Sequence, residues 1–287
     1  MALIYLRPDT LAYALLTQLA DNLKSLLIIA QREHLSPAQV HAIRVQTKQS
    51  RALLRLFHSP GQHARSGTHA AMREIAQRFA GKREAHVLRK TLLQLMPGTD
   101  TEQHLLPLVI DALPPVDATQ HQTGAQITLQ PLTLNELDPE GLLQGLKRTQ
   151  SKAKRRCQQA KKSDLDNDFH AWRKWIKYEL YQLEWLLNTQ AMNKSDRKKA
   201  KRRIHKLAEL GNDLGKFQDL CVLEIPLARI MEDNSHHAVP FERWQLLNDK
   251  LRQQKRLLKK HCLKQAKGLK PSLNFLFMPP VSKPASP

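Results

Sequence analysis

Five side chains, His41, Arg44, Lys48, Arg51 and Arg55, follow one another at steps of three and four residues. At roughly 100° per residue on an α-helix, those steps keep all five within an arc of about 80°. The spacing predicts a helix with one face about 21 Å long that carries only cationic or proton-bearing groups. The opening of the pattern recurs in the second half of the chain as His170, Arg173 and Lys177. Two or three such groups would satisfy an isolated phosphate, so a stripe of this length suits an extended polyanion. Each like-charge contact at these spacings costs a few tenths of a kcal/mol. A solvated helix face normally mixes both signs to avoid that cost.

The whole chain leans the same way. It has 46 Lys+Arg against 26 Asp+Glu, a formal charge of +20 and an isoelectric point near 10.1, which points to nucleic acid, polyphosphate or an anionic surface as partner. The excess is clustered: no acid lies between Leu35 and Arg73, between Gly141 and Ser163, or after Leu251, and only Asp196 interrupts the bases from Lys194 to Ala208. With 41% apolar residues over 287 positions the chain can bury one large core or two smaller ones, which separates it from a disordered basic tail. Cys157, Cys221 and Cys262 are far apart and odd in number. They make neither a disulfide framework nor a metal-binding pair, and a reducing compartment fits them. No basic n-region precedes an apolar core at the N-terminus, and the run Leu26 to Ala30 is too short to cross a bilayer. The expectation is a cytoplasmic protein without membrane insertion.

Helical apolar spacing dominates and predicts an all-α fold. Leu11, Leu15, Leu16, Leu19, Leu23, Leu26 and Leu27 mark a first amphipathic helix capped at Asp9 or Thr10. Ser36-Pro37 supplies a cap and a helix-starting proline for the His41 helix, which Pro60-Gly61 would end. A third helix is expected from Thr68 to Leu95, so that residues 1–97 form a first half. Pro107, Pro114, Pro115 and Pro131 mark 98–137 as a connector, with Ile127 and Leu129 hinting at a short extended piece. The second half, 138–270, holds a basic helix from Gly141, the His170 helix to Asn188, a long helix from Ser195 that Gly211 and Gly215 would bend, and a last basic helix from Phe241. Residues 271–287 form a Pro-rich tail, expected to be mobile.

On the His41 helix, Ile43, Leu53, Leu54 and Phe57 occupy the side away from the stripe and anchor it. On the His170 helix Tyr181 and Glu184 share the basic arc. The Tyr181 hydroxyl can donate to a phosphate oxygen, whereas the Glu184 carboxylate can only orient a neighbouring cation. Trp172 and Trp175 lie opposite the stripe and read as core anchors. Arg148, Lys152 and Arg155 form a third basic row, and Lys199, Arg202 and Lys206 a fourth. If these helices pack beside the stripes their rows converge into a basic groove; otherwise they are separate solvated faces.

The segments "VHAIRVQTKQSRALLRLF" and "FHAWRKWIKYELYQLEWL" resemble the two defining segments of the CHAD domain, the histidine-containing α-helical domain. "AGKREAHVL", which carries Arg83, and "LGKFQDLCVL" are similar to that family's third-helix motif. Leu180 stands where another base is usual, Ala80 where glycine is, and His86 where a second acid is common, which leaves open whether the second half binds as strongly as the first. The resemblance implies two pseudo-symmetric antiparallel helical bundles facing each other across a basic groove or pore, binding of inorganic polyphosphate, association with polyphosphate or other storage granules, and no catalysis or cofactor. On that basis Arg44, Lys48, Arg51, Arg55, Arg173 and Lys177 are expected to contact successive phosphates. His41 and His170 would donate further hydrogen bonds, with Arg83, Tyr181 and the rows Arg148, Lys152, Arg155 and Arg202, Lys206 around them. Histidines crowded by cations resist protonation until an anion arrives, which predicts tighter binding at mildly acidic pH.

Two rival readings remain at this point. Net charge alone argues for a nucleic-acid binder, but aromatics are only 5% of the chain and no finger, ribonucleoprotein or helix-turn-helix pattern occurs, so nucleic acid is not the expected specific partner. An enzyme of phosphoryl transfer would need a phosphate loop, paired carboxylates or a metal-ligating helix, and no such pattern is found. His236 and His237 fall in an expected loop and read as a polar turn.

Overall fold

The structure, a computed structural model, describes residues 8–30, 35–56, 68–70, 72, 74–75, 84–112, 139–189, 192–232 and 239–269. Among these residues all regular structure is helical, which establishes the all-α class. The expected extended piece at Ile127 and Leu129, the helix stop at Pro60-Gly61, Arg83 and the tail 271–287 lie outside the described residues.

Helix α1 spans Pro8–Ala30 and buries Leu11, Leu15, Leu19, Leu23 and Leu26, the predicted stripe of leucines. Helix α2 spans Pro37–Leu53 and then tightens into a 3₁₀ turn, Leu54–Leu56. Its start is a capping box: Gln39 N–H donates to Ser36 Oγ at 3.3 Å, while Ser36 N–H donates to Gln39 Oε1 at 2.8 Å. Two of the orphan donors at the helix start are thereby satisfied, and proline in the first turn forfeits no bond. Helix α3 spans Glu84–Leu95.

Residues 98–112 are not a simple connector. They form a π turn, Thr101–Leu105, and a short helix α4, Leu106–Asp111, whose Leu106 and Val109 are buried. Pro107 falls in the first turn of α4, where its missing N–H has no partner to lose, so the proline starts a helix instead of marking a loop.

Helix α5 spans Pro139–Ser163, α6 Asp166–Asn188, α7 Lys194–Glu232 and α8 Phe241–Lys267. The long α7 runs on as one helix through Gly211, Gly215 and Pro226. Between α5 and α6 the chain turns through Asp164, a non-glycine residue in the left-handed region at φ 52°, where Asp and Asn are tolerated.

The cores do not divide at residues 113–138. The largest one joins α1, α2 and the 3₁₀ turn to α5, α6, α7 and the end of α8, with Trp172, Phe169 and Phe217 at its centre. A second core packs α3 and α4 against the end of α7 and the start of α8 around Trp244. Both therefore draw residues from the first and second halves of the chain, and among the described residues only the small cluster of Leu26, Val40, Ile43 and Ile75 belongs to one half alone. Two contacts at main-chain level fix α2 in place. Gln182 Nε2 donates to the Ala52 carbonyl at 2.8 Å, fully buried. Gly145 lies against the Leu56 backbone so closely that a Cβ there would be 2.7 Å from Leu56 Cα. No helix of the described residues is long and apolar enough to cross a membrane.

Candidate functional site: two basic stripes and a glycine face

Helix α6 packs against α2, α5 and α7, so three sides of it are covered. The remaining side carries His170, Arg173, Lys177, Tyr181 and Glu184. Trp172 is buried, as expected of a core anchor. Trp175 is only half-buried and helps to seat a cation. The Arg55 guanidinium lies over Tyr178, 4.2 Å from the ring centroid, and 5.6 Å from that of Trp175. Arg55 Nη1 also donates to the Arg51 carbonyl at 2.7 Å. Arg55 thus rivets the end of α2 onto α6 through cation–π contacts, a role its place in the stripe does not disclose.

The first stripe is not a wet face. Arg44, Lys48, Arg51 and Arg55 are all half-buried, and His41 alone is exposed at the start. Among the described residues Arg51 Nε is buried with no hydrogen-bond partner. The Lys48 charge reaches across to α6, where it is one of the cations that disfavour protonation of His170. The two stripes, far apart in sequence, thus lie on neighbouring helices within each other's electrostatic field.

Helix α7 forms a wall beside α6, and its contribution is the absence of side chains. Gly211 and Gly215, four residues apart on one face, leave bare helix backbone on which two of the α6 cations lie. A Cβ on Gly211 would come within 3.0 Å of Lys177 Cε, and one on Gly215 within 3.2 Å of Arg173 Nη2. Flanking polar groups complete the wall: Lys177 Nζ donates to Asn212 Oδ1 at 3.3 Å, and His170 Nδ1 donates to Gln218 Oε1 at 2.7 Å. With its proton held on Nδ1, neutral His170 offers an anion only the Nε2 lone pair. Protonation at Nε2 converts that nitrogen into a donor.

Burial and crowded charge shift the titrations along this face. Burial comes first in pushing His170 below its ordinary value; the Gln218 hydrogen bond opposes it, and the charges of Arg173, Lys174 and Lys48 add to it. Burial, then Arg173, lower the Lys177 ammonium, while Glu184 works against them. Burial also raises the Glu184 carboxyl, with Lys177 opposing, and raises the Tyr181 hydroxyl with help from Glu184. Glu184 and Lys177 influence each other through their charges, but among the described residues Glu184 makes no ion pair, so the expected orienting contact is not formed here. Tyr181 and Glu184 open onto a cleft of about 330 Å³ shared with Gln18, Asn22 and Gln49.

The other rows fare differently. Arg148, Lys152 and Arg155 are exposed on α5, with Arg148 Nε donating to the Gln144 carbonyl of its own helix at 3.3 Å. Arg202 and Lys206 do not join the groove. They lie roughly half a turn round α7 from the Gly211 face, and Lys206 Nζ donates to the Gly268 carbonyl at 3.0 Å, beyond the end of α8. Lys199 is paired with Asp196 at 3.0 Å.

With this geometry in view, the sequence matches the family model of the CHAD domain over residues 12–228. That span covers most of the chain and both stripes, and the chain belongs to the CHAD domain family. No curated protein and no solved structure matches it.

Proposed function

We propose that the protein binds inorganic polyphosphate in the groove between α2, α6 and α7, without catalysing its synthesis or cleavage, and that this binding directs it to polyphosphate or other storage granules. The observation that carries this reading is the placing of two distant cationic stripes on neighbouring helices in half-buried form, with Arg173 and Lys177 laid on the bare glycine face of α7. Like charges held together and partly desolvated are costly when empty, and a chain of closely spaced anionic phosphates relieves that cost along its length. Membership of the CHAD family supports the same ligand. Arg44, Arg51 and Arg173 supply planar forks that match phosphate oxygens, whereas Lys48 and Lys177 act as mobile point charges.

Calorimetric titration with long-chain polyphosphate and with a DNA duplex, each at two salt concentrations, tests the proposal. Polyphosphate binding should persist at the higher salt while DNA binding collapses. Equal affinity and equal salt loss for both ligands would reduce the groove to a general polyanion surface.

A further inference from the structure

We infer that the anion track continues past His170 into a second cleft on α8, where Arg252, Arg256 and Lys260 take up a further stretch of the same polyphosphate chain. This rests on the groove being a polyphosphate site. The cleft, about 310 Å³, is lined by Arg252, Lys255, Arg256, Lys259 and Lys260 against only two carboxylates, Asp164 and Asp166. Asp166 lies one turn before His170 on α6, so the cleft opens where the stripe begins.

Its cations divide into two sets. Lys255 and Lys259 build the wall: Lys255 Nζ bonds Asp166 Oδ2 at 2.5 Å and Glu224 Oε2 at 2.6 Å, and Lys259 Nζ bonds Asp166 Oδ1 at 3.0 Å. Lys259 also stands over the Phe169 ring at 5.1 Å. These acids are therefore occupied. Arg252, Arg256 and Lys260, at steps of four residues, share one exposed face and make no ion pair among the described residues. Three like charges at that spacing repel one another, and no acid follows Leu251 in the chain to relieve them. Carboxylates placed to hold the wall lysines, with the outer cations left uncompensated, leave a surface that takes anions. A polyphosphate long enough to occupy groove and cleft together would bind the second as an intramolecular event, at high effective concentration.

The test is affinity against polyphosphate chain length, by calorimetry, for the wild type, for Arg252→Ala/Arg256→Ala/Lys260→Ala and for Arg173→Ala/Lys177→Ala. Circular dichroism establishes that each variant is folded. The wild type should bind short chains weakly and show a rise of at least tenfold once chains span both regions. The α8 variant should bind short chains in the groove as the wild type does and lose that rise, while the groove variant should lose most short-chain binding. Wild type and α8 variant agreeing at every chain length would overturn the extension and leave the groove intact. A groove variant that binds short chains as the wild type does would instead overturn the groove reading itself.

Discussion

Replacing Gly211 and Gly215 together by alanine should make the protein more stable and a poorer binder, two effects of opposite sign from one change. In a helix interior glycine is about 1 kcal/mol less favourable than alanine, so the double variant stands to gain up to about 2 kcal/mol from propensity. The new methyl groups would meet Lys177 Cε at 3.0 Å and Arg173 Nη2 at 3.2 Å, both on flexible side chains that can give by a few tenths of an ångström. That yielding leaves most of the gain in place, and a net gain of about 1 kcal/mol would raise the melting temperature by about 2–4 °C. The same yielding lifts both cations off the α7 backbone and away from Asn212. Losing even half of one charge-assisted contact, worth about 1.5–3 kcal/mol, weakens polyphosphate binding by about 4- to 12-fold. Differential scanning fluorimetry and calorimetric titration read the two quantities on the same sample. Gly145→Ala is the contrast: its Cβ would come within 2.7 Å of Leu56 Cα, a main-chain atom that cannot yield cheaply, so stability should fall. A Gly211→Ala/Gly215→Ala protein with raised melting temperature and unchanged affinity would show that the glycines serve helix packing alone.

Arg44→Ala/Arg51→Ala should weaken polyphosphate binding by several kcal/mol, from two contacts of about 1.5–3 kcal/mol each, measured by titration with the fold verified by circular dichroism. Because the folded protein holds His170 below its ordinary value of 6.5, the unfolded chain binds more protons there as pH falls through that value. Ligand-free stability should accordingly drop between pH 6.5 and the lowered folded value, and His170→Gln should flatten the part of the melting-temperature profile that His170 causes. Polyphosphate, by favouring the protonated ring, should bind more tightly toward mildly acidic pH at fixed ionic strength; affinity flat across that range would refute the role given to His170. Arg203 pairs with Glu179, which is almost wholly buried and whose carboxyl burial alone would drive upward. Arg203→Ala should cost about 3–5 kcal/mol in urea unfolding by stranding that acid, and Glu179→Gln in the same background should recover part of the loss.

Much of this is legible in the residues. The stripe spacing places Arg44, Lys48 and Arg51 on one face, the capping residues locate the start of α2, and Trp172 belongs to the core as its position opposite the stripe implies. Arg55 is harder, because its partners Trp175 and Tyr178 sit on a helix more than a hundred positions away and only packing unites them. Gly211 and Gly215 suggest a bend, since glycine lowers helix propensity and a sequence does not say what lies against its bare backbone. A G-x-x-x-G step inside a long helix is the available signal, as close approach of another group is the usual reason for it. Arg202 and Lys206 share the periodicity of a binding row but lie away from the Gly211 face, with Lys206 bonded beyond the end of α8, because periodicity sorts residues onto faces without saying what each face meets. The sharing of cores between halves is also invisible: each half carries its own apolar stripes, and nothing local distinguishes a partner within the half from one outside it.

The two main-chain contacts that seat α2 have a further consequence. Gln182 grips the Ala52 carbonyl and Gly145 bears on the backbone of Leu56, so the seat of α2 and its 3₁₀ turn on α5 and α6 is set by contacts to backbone and not by the charged side chains of the stripe. In the proposed site the first stripe is a rail held in a fixed place. If polyphosphate binds as proposed, exchanging a cation on α2 alters how strongly it is held while the position of the rail stays the same. On the proposed reading, position and grip are set by different residues, and a change at Gly145 or Gln182, neither of which carries charge, would shift the whole first stripe relative to α6.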